Sequence, residues 1–209
     1  MLSPDWFRSD PRHGEYYAIL MLAALGAMTM AGAGDLLQLV ISVLLSSVTG
    51  YTLAAWHRDW ALSVEAGMKY FLMGALANAL LITGIVLILG LLGTSGYQDI
   101  ALALKLGKGL SPLLFVGLAM TITGVAFKLG AVPSHAWLPD VAEGAPVPSA
   151  AFLTVVPKIG AAIALARVVQ LVPPEFMNLR ELIAVIAVAT MTLGNLAALK
   201  QDDLRRLIG

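Results

Sequence analysis

Cysteine is absent from the 209 residues. That excludes disulfides, iron–sulfur clusters and thiolate metal sites on this chain, and leaves the compartment open. Charge is scarce: 12% of residues are Asp, Glu, Lys or Arg, against about 25% in soluble domains. The net charge is zero, so there is no electrostatic case for nucleic acid as a partner. Residues 1–17 lack a basic region running straight into a short apolar segment, so no conventional secretory signal is expected there, and their acidic residues argue against a transit peptide. Glycine-rich phosphate loops, paired-histidine haem spacing and metal-ligand clusters do not occur either. No cofactor and no metal are therefore expected, and any redox chemistry coupled to this chain happens elsewhere.

What is present is apolar surface. Hydrophobic residues make up 59% of the chain and the mean hydropathy is +0.85. A spanning helix needs roughly 20 apolar residues, because each rises about 1.5 Å through about 30 Å of hydrocarbon. Six segments qualify: 16–34, 36–56, 64–93, 110–132, 148–172 and 179–199. They are apolar all round, as buried or lipid-facing helices are, and nothing alternates with the period of a membrane barrel. The fold class expected is an all-α integral membrane bundle of about six transmembrane helices in one domain, with the lipid bilayer as its solvent. The longest link is 94–109, where Ile100 to Leu104 suits a short interfacial helix.

Loop Lys and Arg set orientation. Arg8, Arg12, Arg58, Lys200, Arg205 and Arg206 fall on one side, and Lys105, Lys108 and Arg180 on the other. The balance places the N-terminus on the cytoplasmic or matrix side. Trp6, Trp56, Trp60 and Trp137 fall near predicted interfaces and read as an aromatic belt.

Four basic residues remain inside helices: Lys69, Lys128, Lys158 and Arg167. A charge at mid-membrane costs at least about 2.5–3.5 kcal/mol, so each needs a reason. Lys158 lies near the centre of its helix, directly after Pro157, which removes a backbone hydrogen bond and favours a kink. Lys128 precedes Leu129-Gly-Ala-Val-Pro133, and Gly with Pro suggests a helix broken between Lys128 and His135. Irregular backbone at membrane depth is tolerated only inside protein or beside a water cavity. Lys69, about one turn into its helix, either snorkels or joins the other two; Arg167, near a helix end, snorkels. Two lysines linked by water would make a proton relay, since desolvation brings an ammonium into the range of proton exchange. His135 either extends that relay to a surface or caps a re-entrant turn. Asp140 and Glu143 read as loop residues at the membrane surface. Asn78, Thr83, Thr121 and Thr123 read as helix–helix hydrogen-bond donors.

The stretch Phe127-Lys-Leu-Gly-Ala-Val-Pro-Ser-His-Ala-Trp-Leu-Pro-Asp-Val-Ala-Glu-Gly-Ala-Pro146 resembles the signature of the antiporter-like membrane subunits of respiratory complex I, NADH-quinone oxidoreductase. Glu65-Ala-Gly-Met-Lys-Tyr-Phe-Leu-Met-Gly-Ala-Leu76, Ala151-Phe-Leu-Thr-Val-Val-Pro-Lys158 and residues 194–206 agree, and the Glu-Gly-Ala-Pro form suits the subunit N branch. The family fold has about fourteen helices in two inverted bundles, each with a broken helix. By this resemblance the six segments correspond to the family's fourth to ninth helices. The resemblance implies proton translocation through Lys128 on the broken helix, Lys158 on the next, and Lys69. It also implies a respiratory, energy-transducing membrane, bacterial or mitochondrial, with other membrane-arm subunits as partners.

Two departures stand out. The family places a glutamate opposite the broken-helix lysine; the matching position here is Leu44, and no acid occurs between Asp35 and Asp59. The resemblance also stops short of the family's full set of helices, so a chain supplying the missing helices is an expected partner. Three function classes follow: a proton-conducting complex I subunit, a subunit of a related cation/proton antiporter or membrane hydrogenase, or a structural remnant that no longer conducts.

Overall fold

A computed structural model describes residues 6–7, 12–174 and 178–209. Arg8, which entered the charge balance, lies outside them. The described residues form helices and turns, with a single isolated bridge between Asp35 and Gly96.

Six helices are long and apolar enough to cross a membrane: α1 (His13–Gly32), α2 (Leu36–Ala54), α3 (Ala61–Leu92), α5 (Pro112–Leu129), α7 (Val147–Leu171) and α8 (Leu179–Ala198). Two short helices, α4 (Tyr97–Lys105) and α6 (Trp137–Gly144), join them, and a third, α9 (Leu204–Ile208), follows α8. The six expected spans and the short helix near Ile100 are thus all present. The membrane-facing character is visible on the surface, where large residues such as Met21, Ile41, Leu72 and Val185 stand exposed.

Local chemistry explains the boundaries. Asp35 accepts from the Gln38 amide at 2.8 Å, while the Gln38 side chain accepts from the Gly34 amide at 3.0 Å. This reciprocal cap satisfies orphan donors at the start of α2. Ser111 caps α5 by accepting from the Leu114 amide at 3.3 Å, with Pro112 just inside, where a missing N–H costs nothing. The α3 helix runs for 32 residues, about 48 Å at 1.5 Å per residue, which exceeds the hydrocarbon thickness. Lys69 therefore sits more than two turns into α3, deeper than its expected single turn.

Close helix contacts depend on small residues. A Cβ on Gly84 would come within 2.5 Å of the Gly117 carbonyl, and one on Gly124 within 2.6 Å of Leu81 Cβ. Glycine at these positions lets α3 and α5 approach backbone to backbone, as small residues do between membrane helices. That approach brings Tyr70 of α3 beside Lys128 of α5. The buried core divides into an aliphatic cluster around Leu39, Ile85, Leu118 and Ala164 and an aromatic one around Tyr16, Tyr70, Phe127 and Trp137.

Candidate proton-translocation site

The expected helix break is real. The α5 helix ends at Leu129 and α6 begins at Trp137. Gly130 adopts φ +72°, a left-handed conformation that glycine enters without a steric penalty. Its amide bonds to the Phe127 carbonyl at 3.0 Å, and the Ala131 amide to Ala126 at 3.1 Å. Together these close the helix in a Schellman motif. Backbone groups freed by the break find side chains instead: the Val132 amide donates to Thr190 Oγ1 at 3.1 Å, and Trp137 Nε1 donates to the Phe127 carbonyl at 3.2 Å. Both bonds meet the demand that irregular backbone at membrane depth be satisfied by protein.

Lys128 occupies the last turn of α5, the end of the helix dipole that favours a cation. Its side chain is 1% exposed, and Nζ donates to the Tyr70 hydroxyl at 3.2 Å. Tyr70 is itself sealed and stacks on Trp137, ring centres 4.3 Å apart and 12° from parallel. Trp137 is therefore a buried wall of the lysine pocket and not a member of the interfacial belt; Trp56 is buried too, whereas Trp6 and Trp60 are exposed. Beyond Tyr70, the Tyr51 ring stands perpendicular to it with centres 4.8 Å apart. Asn78 Nδ2 donates to the Tyr51 hydroxyl at 3.4 Å, and Ser47 Oγ donates to Asn78 Oδ1 at 3.5 Å. Asn78 thus bonds across helices as expected. Thr83, Thr121 and Thr123 do not: each donates to a carbonyl four residues back in its own helix, the intrahelical alternative open to threonine.

Lys158 is half-buried on α7, which continues unbroken through Pro157. It shares a cavity of about 340 Å³ with His135, Thr190, Asn195, Gln201 and Arg206. Polar partners and this volume suffice for several waters. His135 Nδ1 is buried and has no partner among the described residues. Leu129 and Gly130, the two residues after Lys128, also line the cavity. Lys128 itself meets Tyr70 in packed interior, while Lys158 and His135 share the cavity that the residues of the break line.

Lys69 belongs to a third place, the rim. Its ammonium pairs with Glu65 at 2.8 Å and Asp140 at 3.1 Å. Arg206 pairs with Asp140 at 2.8 Å and Glu143 at 2.6 Å. The hydrogen bond it donates to Glu143, with Asp140 behind it, pushes the Arg206 guanidinium further above its already high range. Asp140 and Glu143 lie on helix α6, and not in a loop, and they tie α6 to α3 and α9. Arg167 is exposed near the end of α7, and its Nη1 donates to the Ala33 carbonyl at 2.9 Å, at the turn after α1. Leu44 is half-buried on α2.

Tyr70, Tyr51, Ser47, Asp140 and Arg206 were not foreseen as site residues. For Tyr70 a signal existed: a phenol inside a spanning helix needs a hydrogen-bond partner. Its partner is 58 residues away in sequence, beyond what local spacing can connect.

The chain matches the family model described as NADH:quinone oxidoreductase/Mrp antiporter, TM, over residues 33–209. It is 43% identical over 209 residues to NADH-quinone oxidoreductase subunit N 1 of Streptomyces griseus subsp. griseus, covering 100% of this chain and 44% of that protein. It is 44% identical over 202 residues to subunit N of a Mycobacterium species, covering 97% and 42%. The chain thus spans less than half the length of the curated relatives it matches. Among solved structures, a chain of respiratory complex I from Thermus thermophilus superposes with TM-score 0.77 at 35% identity, covering 93% of this chain and 41% of that one. A chain of the membrane-bound sulfane sulfur reductase, an archaeal respiratory membrane complex, gives TM-score 0.80 at 30% identity, covering 92% and 39%. A chain of the Mrp complex from Dietzia sp. DQ12-45-1b shares the fold, with TM-score 0.80 at 22% identity over 90% of this chain and 35% of that one. By its matched length, its broken helix and these likenesses, the chain belongs to the NADH:quinone oxidoreductase/Mrp antiporter transmembrane family.

Proposed function

We propose that this chain is part of a subunit N-type membrane-arm component of a proton-pumping NADH:quinone oxidoreductase, sited in an energy-transducing membrane, and that its buried lysines carry protons. The observation behind this reading is Lys128, sealed at a helix break, with Lys158 and His135 sharing a cavity that the residues of that break line. A buried ammonium is expensive in a membrane and marks an ion path by default. Lys128 and Lys158 hold and pass the proton, His135 links the cavity outward, and Lys69 stands at the rim where its ion-paired cluster meets solvent. NADH and quinone chemistry would reside in partner subunits, which this chain couples to proton movement without a redox centre of its own. The six spans would correspond to the family's fourth to ninth helices. The rest of the relatives' length, on this polypeptide or another, would complete the module.

The likeness to an archaeal respiratory complex at 30% identity supports a second reading, a subunit of a related membrane complex. The company the chain keeps distinguishes the two. Mass spectrometry of a mild-detergent preparation should find an NADH-oxidising redox arm together with other membrane subunits. Recovery with membrane subunits alone, or with a redox arm that does not oxidise NADH, would favour the second reading and contradict the first.

A further inference from the structure

We propose that Tyr70 is the positioning residue for Lys128, a neutral partner that keeps the lysine nitrogen hydrogen-bonded in both of its charge states. The inference rests on the reading of Lys128 as a proton carrier. Lys128 Nζ lies 3.2 Å from the Tyr70 hydroxyl and 5.5 Å from the ring centre, so the hydroxyl is the contact. The ring is held by its stack on Trp137 and by the perpendicular ring of Tyr51. Tyr51 is in turn bonded to Asn78, and Asn78 to Ser47. Every member of this chain of contacts beyond the lysine is uncharged. Among the described residues no carboxylate pairs with Lys128; the ion pairs found lie at the rim.

The type of partner decides what the lysine can do. An ionised carboxylate only accepts hydrogen bonds. It suits an ammonium, and its attraction opposes release of the proton. A phenol has both an O–H and lone pairs. It accepts from the ammonium and, by turning its O–H, donates to the amine. The buried nitrogen is therefore never left unpaired, which would be costly in a sealed pocket. The transferred proton leaves Nζ and is later replaced there, and Tyr70 keeps its own proton throughout. Rigid packing of the ring fixes where the nitrogen sits in each state.

The test uses the assembled complex, with protons translocated per electron as the readout and electron-transfer rate and complex yield as controls. Tyr70→Phe keeps the ring and its stack and removes only the hydroxyl. Incorporation of 4-aminophenylalanine at position 70 keeps the ring and restores a group that both donates and accepts. The expected result is that Tyr70→Phe falls to the level of Lys128→Ala with controls unchanged, and that the amino analogue recovers most of the loss. A packing role alone would leave both variants like the wild type. Wild-type pumping in Tyr70→Phe, or no recovery with the analogue, would overturn the proposal, provided Lys128→Ala has lost pumping. If Lys128→Ala pumps normally, the failure lies with the proton-carrier reading itself.

Discussion

At the rim, Lys69 lies between Glu65 and Asp140 with 47% of its side chain in solvent. In the interior, Lys128 is 1% exposed and meets a tyrosine hydroxyl. The two amines are chemically identical, and the difference in their partners follows from water. Near solvent an ion pair forms cheaply and contributes little, because both charges stay partly hydrated and salt screens them. In the interior, a second buried charge would add a desolvation cost that its attraction must first offset. The pocket around Lys128 instead supplies aromatic rings, a phenol and the carbonyl end of a helix. At the rim charge is paired with charge, and in the interior it meets neutral partners.

Changing each region in turn sharpens the contrast. The largest loss of stability is expected at the interior wall. Trp137→Ala removes the stack on Tyr70 and the bond to the Phe127 carbonyl, at about 3–5 kcal/mol. Thermal unfolding of the assembled complex measures it, and an unchanged melting curve would show that the wall is dispensable.

Next comes Leu44→Glu, which adds the acid that the family resemblance places opposite the broken-helix lysine. An unneeded carboxylate in the membrane costs about 2.5–3.5 kcal/mol. In a conducting module the Lys128 ammonium would offset that cost if the resemblance holds, so assembly should survive and pumping be kept or raised. Failed assembly would instead point to a structural remnant.

A smaller effect is expected from Thr190→Val. It strips the Val132 amide of its acceptor, at about 1–3 kcal/mol, and should loosen the break. Faster hydrogen exchange across residues 130–136 is the check, and unchanged exchange would argue against Thr190 as the clasp. The smallest is Asp140→Asn, which cuts two rim ion pairs. A slight drop in melting temperature at low salt should vanish at high salt. A drop that salt does not reduce would mean that the rim is buried more deeply than its exposure indicates.

Spans were legible because hydrocarbon thickness fixes a length and composition marks it. The break was legible because Gly130 and Pro133 sit inside an apolar run, and glycine alone takes the left-handed turn without strain. The lysines stood out for the same reason: a charge among apolar neighbours is conspicuous. Their partners were not legible. Tyr70 and Trp137 look ordinary in sequence, since aromatics serve equally in belts and cores, and only the close approach of α3 and α5 at Gly84 and Gly124 joins them to Lys128. Thr121 could bond within or between helices, and packing chose the former. Asp140 read as a loop residue, yet it lies on a helix whose first turn holds Pro139, a position where proline is at home.

The central claim is that the Lys128 pocket and the Lys158 cavity carry one proton path. The most direct measurement is proton stoichiometry per electron in complexes carrying Lys128→Ala or Lys158→Ala, with assembly verified for each. The account predicts that both variants lose the same share of pumping while electron transfer continues. Unchanged stoichiometry in both would contradict it.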